Sequence, residues 1–542
     1  MKNATFIATS AVILSLAMTT VLLFQSSTRH ASSPRSGAEV RFDESPAPTL
    51  DPPDEIVVDL AGHAWSQLES AIQISADEKD TLVVWIVDQS SSMAERREEI
   101  ADRFERTFGS QQAHSDNELL HSLISFGERV QQPSDQPTDD AGQIAAQFRK
   151  VEDDLTGVER TMQAVQSASE YVRSMWQKYQ SWNRLFVIVT DERGDDYEMV
   201  DQVVKRCSRM GIRVFCLGNA SPFGTDKGFS RYTYPDGFQV DIPVDQGPET
   251  IAHQTLQIPV IGQPVVEPAH ISSGFGPYAI EWLCRETGGQ FWIYQDTASE
   301  RFLPGRMNDY RPDYISASDF AETTNFNRAK LALIDAALLS HKEMPRVLPI
   351  VVRGDVLNVL RTELTERQKE CVAASSLVQK LTGLLESGLE DRAELDSLRW
   401  RASFDLAWGQ ALAAKVRFET LNLRLASMKV EPKEFKEPTN NTWKLIEASE
   451  PLEISQQHAD MVSQARQVLQ QVVTEHPKTP FSFVAQRELD RGFGWKWIES
   501  HSDGPALTSR KRSELEWKYR WGGRSEFLGR PKLVPRRKPP RL

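Results

Sequence analysis

Asp88, Ser90 and Ser92 form the pattern Asp-x-Ser-x-Ser, which sets one carboxylate and two hydroxyls on alternate positions where they can converge on a point. An all-oxygen donor set suits a hard divalent cation such as Mg²⁺, and Mn²⁺ or Ca²⁺ accept the same oxygens. Further along, Thr190-Asp191-Glu192-Arg193-Gly194 supplies a second aspartate. Between the two, Asp154-Leu155-Thr156-Gly157 places a loop threonine ahead of a helical pattern from Val158 to Trp176. Taken singly, Asp88 and Thr156 read as helix caps, Ser91 as a turn residue and Asp191 as a loop carboxylate. Those readings do not explain why the residues recur together at the ends of apolar runs.

The elements that must position them are legible. Thr81 to Val87 and Leu185 to Val189 are continuous apolar runs, the signature of parallel strands covered on both faces. Periodicity predicts strand 81–87, helix 94–108, strand 119–126, helix 141–152, helix 158–178, strand 185–190, helix 196–210 and strand 212–217. This alternation implies an α/β fold with a doubly wound, mostly parallel, Rossmann-like sheet, in which ligands sit at the carboxyl ends of the strands. From 219 to 276 the regular pattern stops in a Pro- and Gly-rich stretch, with short extended pieces at Phe238–Val244 and Leu256–Val260. It resumes with a helix at Pro277–Arg285 and a strand at Gln290–Tyr294. The stretch therefore interrupts a domain spanning 78–298. It reads equally as a specificity element beside the metal face or as a decoration packed on the side.

Strand plus Asp88-x-Ser90-x-Ser92, then Thr156, then strand plus Thr190-Asp191 resembles the metal-ion-dependent adhesion site of a von Willebrand factor type A domain. The resemblance implies that Asp88, Ser90 and Ser92 hold the cation, that Thr156 coordinates it directly, and that Asp191 acts mostly through a water. It also implies an open coordination position filled by a partner's carboxylate. The helix and strand after the insertion resemble the last such pair of that family. Two departures stand out: Glu192 replaces a common glycine, and no Gly-Gly precedes Thr156. Thr161, a turn inside the expected helix, is the alternative to Thr156.

With 542 residues and 40% hydrophobic content, the chain has room for two or three domains. Ala4 to Phe24 is an uncharged segment long enough to cross a bilayer, read as an anchor, with a cleaved signal as its rival. Residues 26–77 then read as a stalk or linker. Cys207, Cys216, Cys284 and Cys371 lack metal-type spacing; Cys216 and Cys284 read as core, with a disulfide open. Residues 299–500 read as α-helical. Leu331, Ile334, Leu338 and Leu339 make one stripe, and Trp400, Phe404, Trp408, Leu412, Val416 and Leu421 another. A helical pair follows at Ser455–Thr474 and Phe481–Arg491, the second opened by Thr479-Pro480 and stopped by Gly492. The tail, 501–542, carries 12 Lys or Arg against 3 Glu from Pro505 onward, on a chain of net charge −13. It suits an anionic polymer or surface without implying specific nucleic acid.

Phosphate-loop, zinc-protease and nucleophile-elbow motifs do not occur, and no histidine lies near Asp88 or Asp191 in sequence. The expected function is that of a non-enzymatic, membrane-anchored or secreted binding or scaffold protein of the cell envelope, which captures an acidic protein partner through the cation. The alternative is a non-catalytic subunit of an ATPase-driven complex.

Overall fold

The structure is a computed structural model that describes residues 59–109, 117–132, 136–233, 238–259, 261, 270–342, 349–449 and 456–502. The N-terminal anchor or signal segment and nearly all of the basic tail lie outside these residues. Among the described residues, no helix is long and apolar enough to cross a membrane.

The first layer of architecture is a six-stranded sheet built from β1 (Thr81–Asp88), β2 (Leu119–Phe126), β3 (Val130–Gln131), β4 (Asn183–Val189), β5 (Ile212–Asn219) and β8 (Phe291–Gln295), in the order β3-β2-β1-β4-β5-β8. All pairings are parallel except the edge hairpin of β2 with β3. β1 shows why its apolar run is unbroken. Leu82, Val84 and Ile86 join Met162, Val165 and Leu283 in one core on one face, while Val83, Trp85 and Val87 join Trp65, Phe104 and Phe148 in another on the other face. The helices Thr161–Ser174, Val200–Arg209 and Tyr278–Glu286 cover the first face. Cys207, Cys216 and Cys284 lie in that layer as buried free thiols. Strand order reverses between β1 and β4, so the ends of these two strands flank the crevice where doubly wound sheets bind ligands.

The stalk assignment ends earlier than expected. Leu60–Glu78 is a helix, capped by Asp59 Oδ1 accepting from Gly62 N at 2.8 Å. Trp65, Leu68 and Ile72 bury its inner stripe against the second face, with Trp65 stacked on Trp85 at 6.0 Å. These residues complete the α/β domain instead of leading to it. Ala94–Gly109 and Ala141–Lys150 cover the same face.

The described residues of the stretch 219–276 form a joint. β6 (Lys227–Thr233) and β7 (Gln239–Asp245) make an antiparallel hairpin, whereas 256–259 carry no strand. Phe223, Leu256, Ile271 and Phe275 share one core with Tyr310, Trp400 and Phe481 of the helical region. Phe223 meets Phe481 edge-on at 4.9 Å. Within this core Glu249 and Arg399 make a fully buried ion pair at 2.5 Å, and Arg399 also donates to Gln254 Oε1 at 3.0 Å and to the carbonyl of Tyr310 at 3.2 Å.

The helical region contains Arg328–Lys342, Leu357–Glu386, Leu398–Val430, Gln456–Glu475 and Pro480–Arg491. It is not wholly α-helical: β9 (Val351–Arg353), β10 (Thr442–Ala448) and β11 (Gly494–Ser500) make a small antiparallel sheet. The stripe on Leu398–Val430 is buried as expected. On Arg328–Lys342 the buried face is Ala329, Ala332, Leu333, Ala336 and Ala337, while Leu338 is exposed. Small side chains there admit close helix packing.

Removing one member of a buried ion pair strands the other's charge, at a cost of about 3–5 kcal/mol. Arg399→Ala is therefore expected to lower unfolding free energy in denaturant titration by about that amount, and the double change Glu249→Gln with Arg399→Met by much less.

Candidate metal centre

Asp88 ends β1 with its carboxylate fully buried. Its Oδ1 accepts from Ser90 N at 2.7 Å, and its Oδ2 from the Thr190 hydroxyl, at the end of β4, at 2.6 Å. The Ser90 and Ser92 hydroxyls lie 3.1 Å apart, and Ser92 donates to Asp191 Oδ1 at 3.2 Å. Four of the five residues expected from sequence are thus joined at the adjacent ends of β1 and β4. The helix Ala94–Gly109 fixes the loop from behind: Arg97 donates to the carbonyls of Asp88 (3.0 Å) and Ser90 (2.9 Å), and Arg96 to the Thr190 carbonyl at 3.3 Å.

Thr156 is not in this group. It is exposed, and its N–H closes a turn on Asp154 Oδ1 at 2.8 Å. Its neighbour Asp154 is tied to the serine loop, donating N–H to the Gln89 carbonyl at 2.8 Å. Thr161 is fully buried, and its Oγ1 has no hydrogen-bond partner. It faces the second aspartate loop so closely that a Cβ on Gly194 would lie 2.5 Å from that Oγ1, and the φ of +81° at Gly194 independently requires glycine. The helix begins at Thr161, three residues later than periodicity predicts, because its cap is not local. Asp196 accepts from Met162 N (2.9 Å) and Gln163 N (2.7 Å). A cap from a distant loop leaves no signal beside the helix start.

Two carboxylates that sequence reasoning did not assign to the site complete its surroundings. Glu159 and Glu192 are both buried. Glu159 is fixed by a reciprocal pair of backbone contacts, Asp195 N to the Glu159 carbonyl at 2.7 Å and Glu159 N to Asp195 Oδ2 at 3.1 Å. Burial, reinforced by Asp191, raises the Asp88 carboxyl to about 6. Burial also pushes Glu159 and Glu192 upward, each helped by the other carboxylates. Repelling carboxylates beside an unpartnered hydroxyl form an environment that a divalent cation stabilises. The donors that fit such an ion are Asp88, Ser90, Ser92, Asp191 and the Thr161 hydroxyl, all oxygen.

These residues lie within a recognisable segment. Residues 83–193 match the family model described as a von Willebrand factor type A domain. Among curated proteins no match is found. Two solved structures of proximal thread matrix protein 1 from the mussel byssus, one with a zinc-occupied MIDAS motif, align at 14% identity and a TM-score of 0.20. The alignment covers 27% of this chain and 36% of that chain. The α/β part of the molecule has the type A fold, and the loops described above leave the ends of its strands β1 and β4.

If the buried threonine holds the ion, Thr161→Val lowers divalent-cation affinity in isothermal titration by at least about 10-fold. Thr156→Val leaves it unchanged. Because Thr161 Oγ1 makes no hydrogen bond, the same variant should unfold at nearly the wild-type denaturant midpoint.

Proposed function

We propose that this protein is a metal-dependent binding protein in which a divalent cation, held by Asp88, Ser90, Ser92, Thr161 and Asp191, captures a carboxylate of a protein partner. The observation that carries the reading is the convergence of Asp88, Ser90, Ser92 and Asp191 at the joined ends of β1 and β4, with the unpartnered Thr161 hydroxyl facing Gly194 on the loop that carries Asp191. The match of residues 83–193 to the type A family supports it. When bound, the cation supplies a point of positive charge with an open position, and that is what an acidic side chain seeks. Leu155, 64% exposed on the loop carrying Thr156, offers apolar contact at the rim.

The helical region, joined to the type A domain through residues 219–276, would hold that domain or recruit a second partner. We further propose that the uncharged N-terminal segment anchors the chain to a membrane with the described domains outside the cytoplasm, and that the basic tail engages an anionic polymer. Protease accessibility of the intact protein in sealed cells tests this orientation, and protection of the domains from external protease overturns it.

The electrostatics make the metal test two-sided. Asp88→Asn removes a buried negative charge that faces Asp191, so in EDTA the variant is expected to melt above the wild type. With Mg²⁺, Mn²⁺ or Ca²⁺ the wild type should gain melting temperature and the variant should not. A variant that still gains as much as the wild type overturns the assignment of Asp88. Capture of a partner should be lost both in EDTA and in Asp88→Asn.

A further inference from the structure

A second set of ligating side chains lies where residues 219–276 meet the helical region. Asp226 precedes the β6–β7 hairpin, His253 follows it, and His341 ends the helix Arg328–Lys342, yet one ligand atom from each lies within 4.8 Å of the others. The two imidazoles stack at 3.8 Å between centroids. His253 Nδ1 is buried with no hydrogen-bond partner, and its Nε2 faces Asp226 Oδ1 at 3.5 Å. His341 Nε2 meets the Thr255 carbonyl at 3.3 Å, so it carries the proton there and leaves its lone pair on Nδ1, as a carbonyl behind a metal-ligating imidazole does.

The scaffold under the three residues is fixed. Thr255 Oγ1 donates to the Gly224 carbonyl at 2.8 Å, tying together the segments that carry His253 and Asp226. Gln257 N donates to Ser340 Oγ at 3.0 Å, tying both to the turn before His341. All three ligating residues are half-buried, so an ion can reach them from solvent.

We propose that Asp226, His253 and His341 form a second metal site, which takes a zinc-class divalent cation on two imidazoles and a carboxylate and fastens the insertion to the helical region. Two nitrogens and one oxygen make a borderline donor set that favours Zn²⁺ over Mg²⁺ or Ca²⁺, with a fourth position left for water. Burial, and then the neighbouring His253, hold His341 down to about 4, so it is a neutral ligand at physiological pH. Arg193 Nη1 lies 3.4 Å from Asp226 Oδ1 and Nη2 3.0 Å from Asp245 Oδ2, so its charge is shared and the second oxygen of Asp226 stays available.

The proposal is independent of the adhesion-type site, and its test separates the two. Co²⁺ is titrated into the full-length protein and its visible ligand-field absorption followed, with Zn²⁺ then added as competitor. Intense four-coordinate bands at one equivalent are expected in the wild type and equally in Asp88→Asn, and Zn²⁺ should abolish them. His253→Gln and His341→Gln should each lose affinity by at least about 10-fold, while Asp226→Asn weakens it less. Circular dichroism and melting curves establish that each variant is folded. Absence of the bands in the wild type, or their persistence in both folded histidine variants, overturns the site. Bands lost in Asp88→Asn but kept in His341→Gln assign the ion to the other site and overturn it equally.

Discussion

The fold is organised around negative charge buried at the adjoining ends of two parallel strands. Asp88 is wholly out of water; burial and then Asp191 raise its proton affinity, and its charge in turn helps to raise that of Glu159 and Glu192. A carboxylate in such a place is stable only if something opposes its charge. The local hydrogen bonds, from Ser90 N, the Ser90 side chain and the Thr190 hydroxyl, lower its proton affinity but do not outweigh burial and Asp191. Two neighbouring guanidiniums bond the backbone instead: Arg97 the carbonyls of Asp88 and Ser90, and Arg96 that of Thr190. They fix the shape of the loops without pairing with the carboxylate. The start of the helix Ala94–Gly109 adds only the partial charge of its end. The arrangement therefore trades stability for an ion-shaped demand, a common cost of functional sites.

That demand needs a rigid frame, and the packing supplies one. β1 is sandwiched between two complete helical layers, and the helix Leu60–Glu78 closes the second of them through Trp65 on Trp85. The type A domain in turn is braced by the helical region through its own insertion, with the Glu249–Arg399 pair and the Phe223–Phe481 contact sealed in a common core. Apolar burial drives that junction and the ion pair sets its register, because a displaced Arg399 would leave Glu249 unpaired in the interior. An insertion that leaves the metal face is thus spent on joining two parts of the molecule.

How much of this was legible in the sequence follows the range of each interaction. β1 and β4 were readable because a strand covered on both faces must be apolar at every position, and the aspartates that follow them were readable as strand-end residues. Helix Leu60–Glu78 carried its signal in Trp65, Leu68 and Ile72, at helical spacing but downstream of a Pro-rich stretch that reads as linker. The sheet of β9, β10 and β11 showed alternation at Trp443 and Leu445, overshadowed by the long helices around it. On Arg328–Lys342, Ile334 and Leu339 of the expected stripe pack against the core, while the more deeply buried alanines beside them are hard to read because alanines weigh less than leucines in a hydrophobic pattern. Thr161 was displaced by Thr156 for a different reason: the cap of its helix, Asp196, and the glycine it packs on, Gly194, come from another loop. The histidines of the second cluster meet only through tertiary folding, and no local spacing marks them.

The loop 190–196 is where these threads cross. Thr190 bonds the carboxylate of Asp88, Asp191 accepts from Ser92, Gly194 packs on Thr161, Asp195 pins Glu159 and Asp196 caps the helix of Thr161. Between them Arg193 turns outward to Asp226 and Asp245, and its guanidinium lies over the Tyr197 ring at 4.3 Å. One short segment therefore holds Asp191, the supports of Asp88 and of the Thr161 helix, and the charged neighbour of the second cluster. A change in charge at Asp226 alters what holds Arg193, and a change at Asp88 alters what holds Thr190.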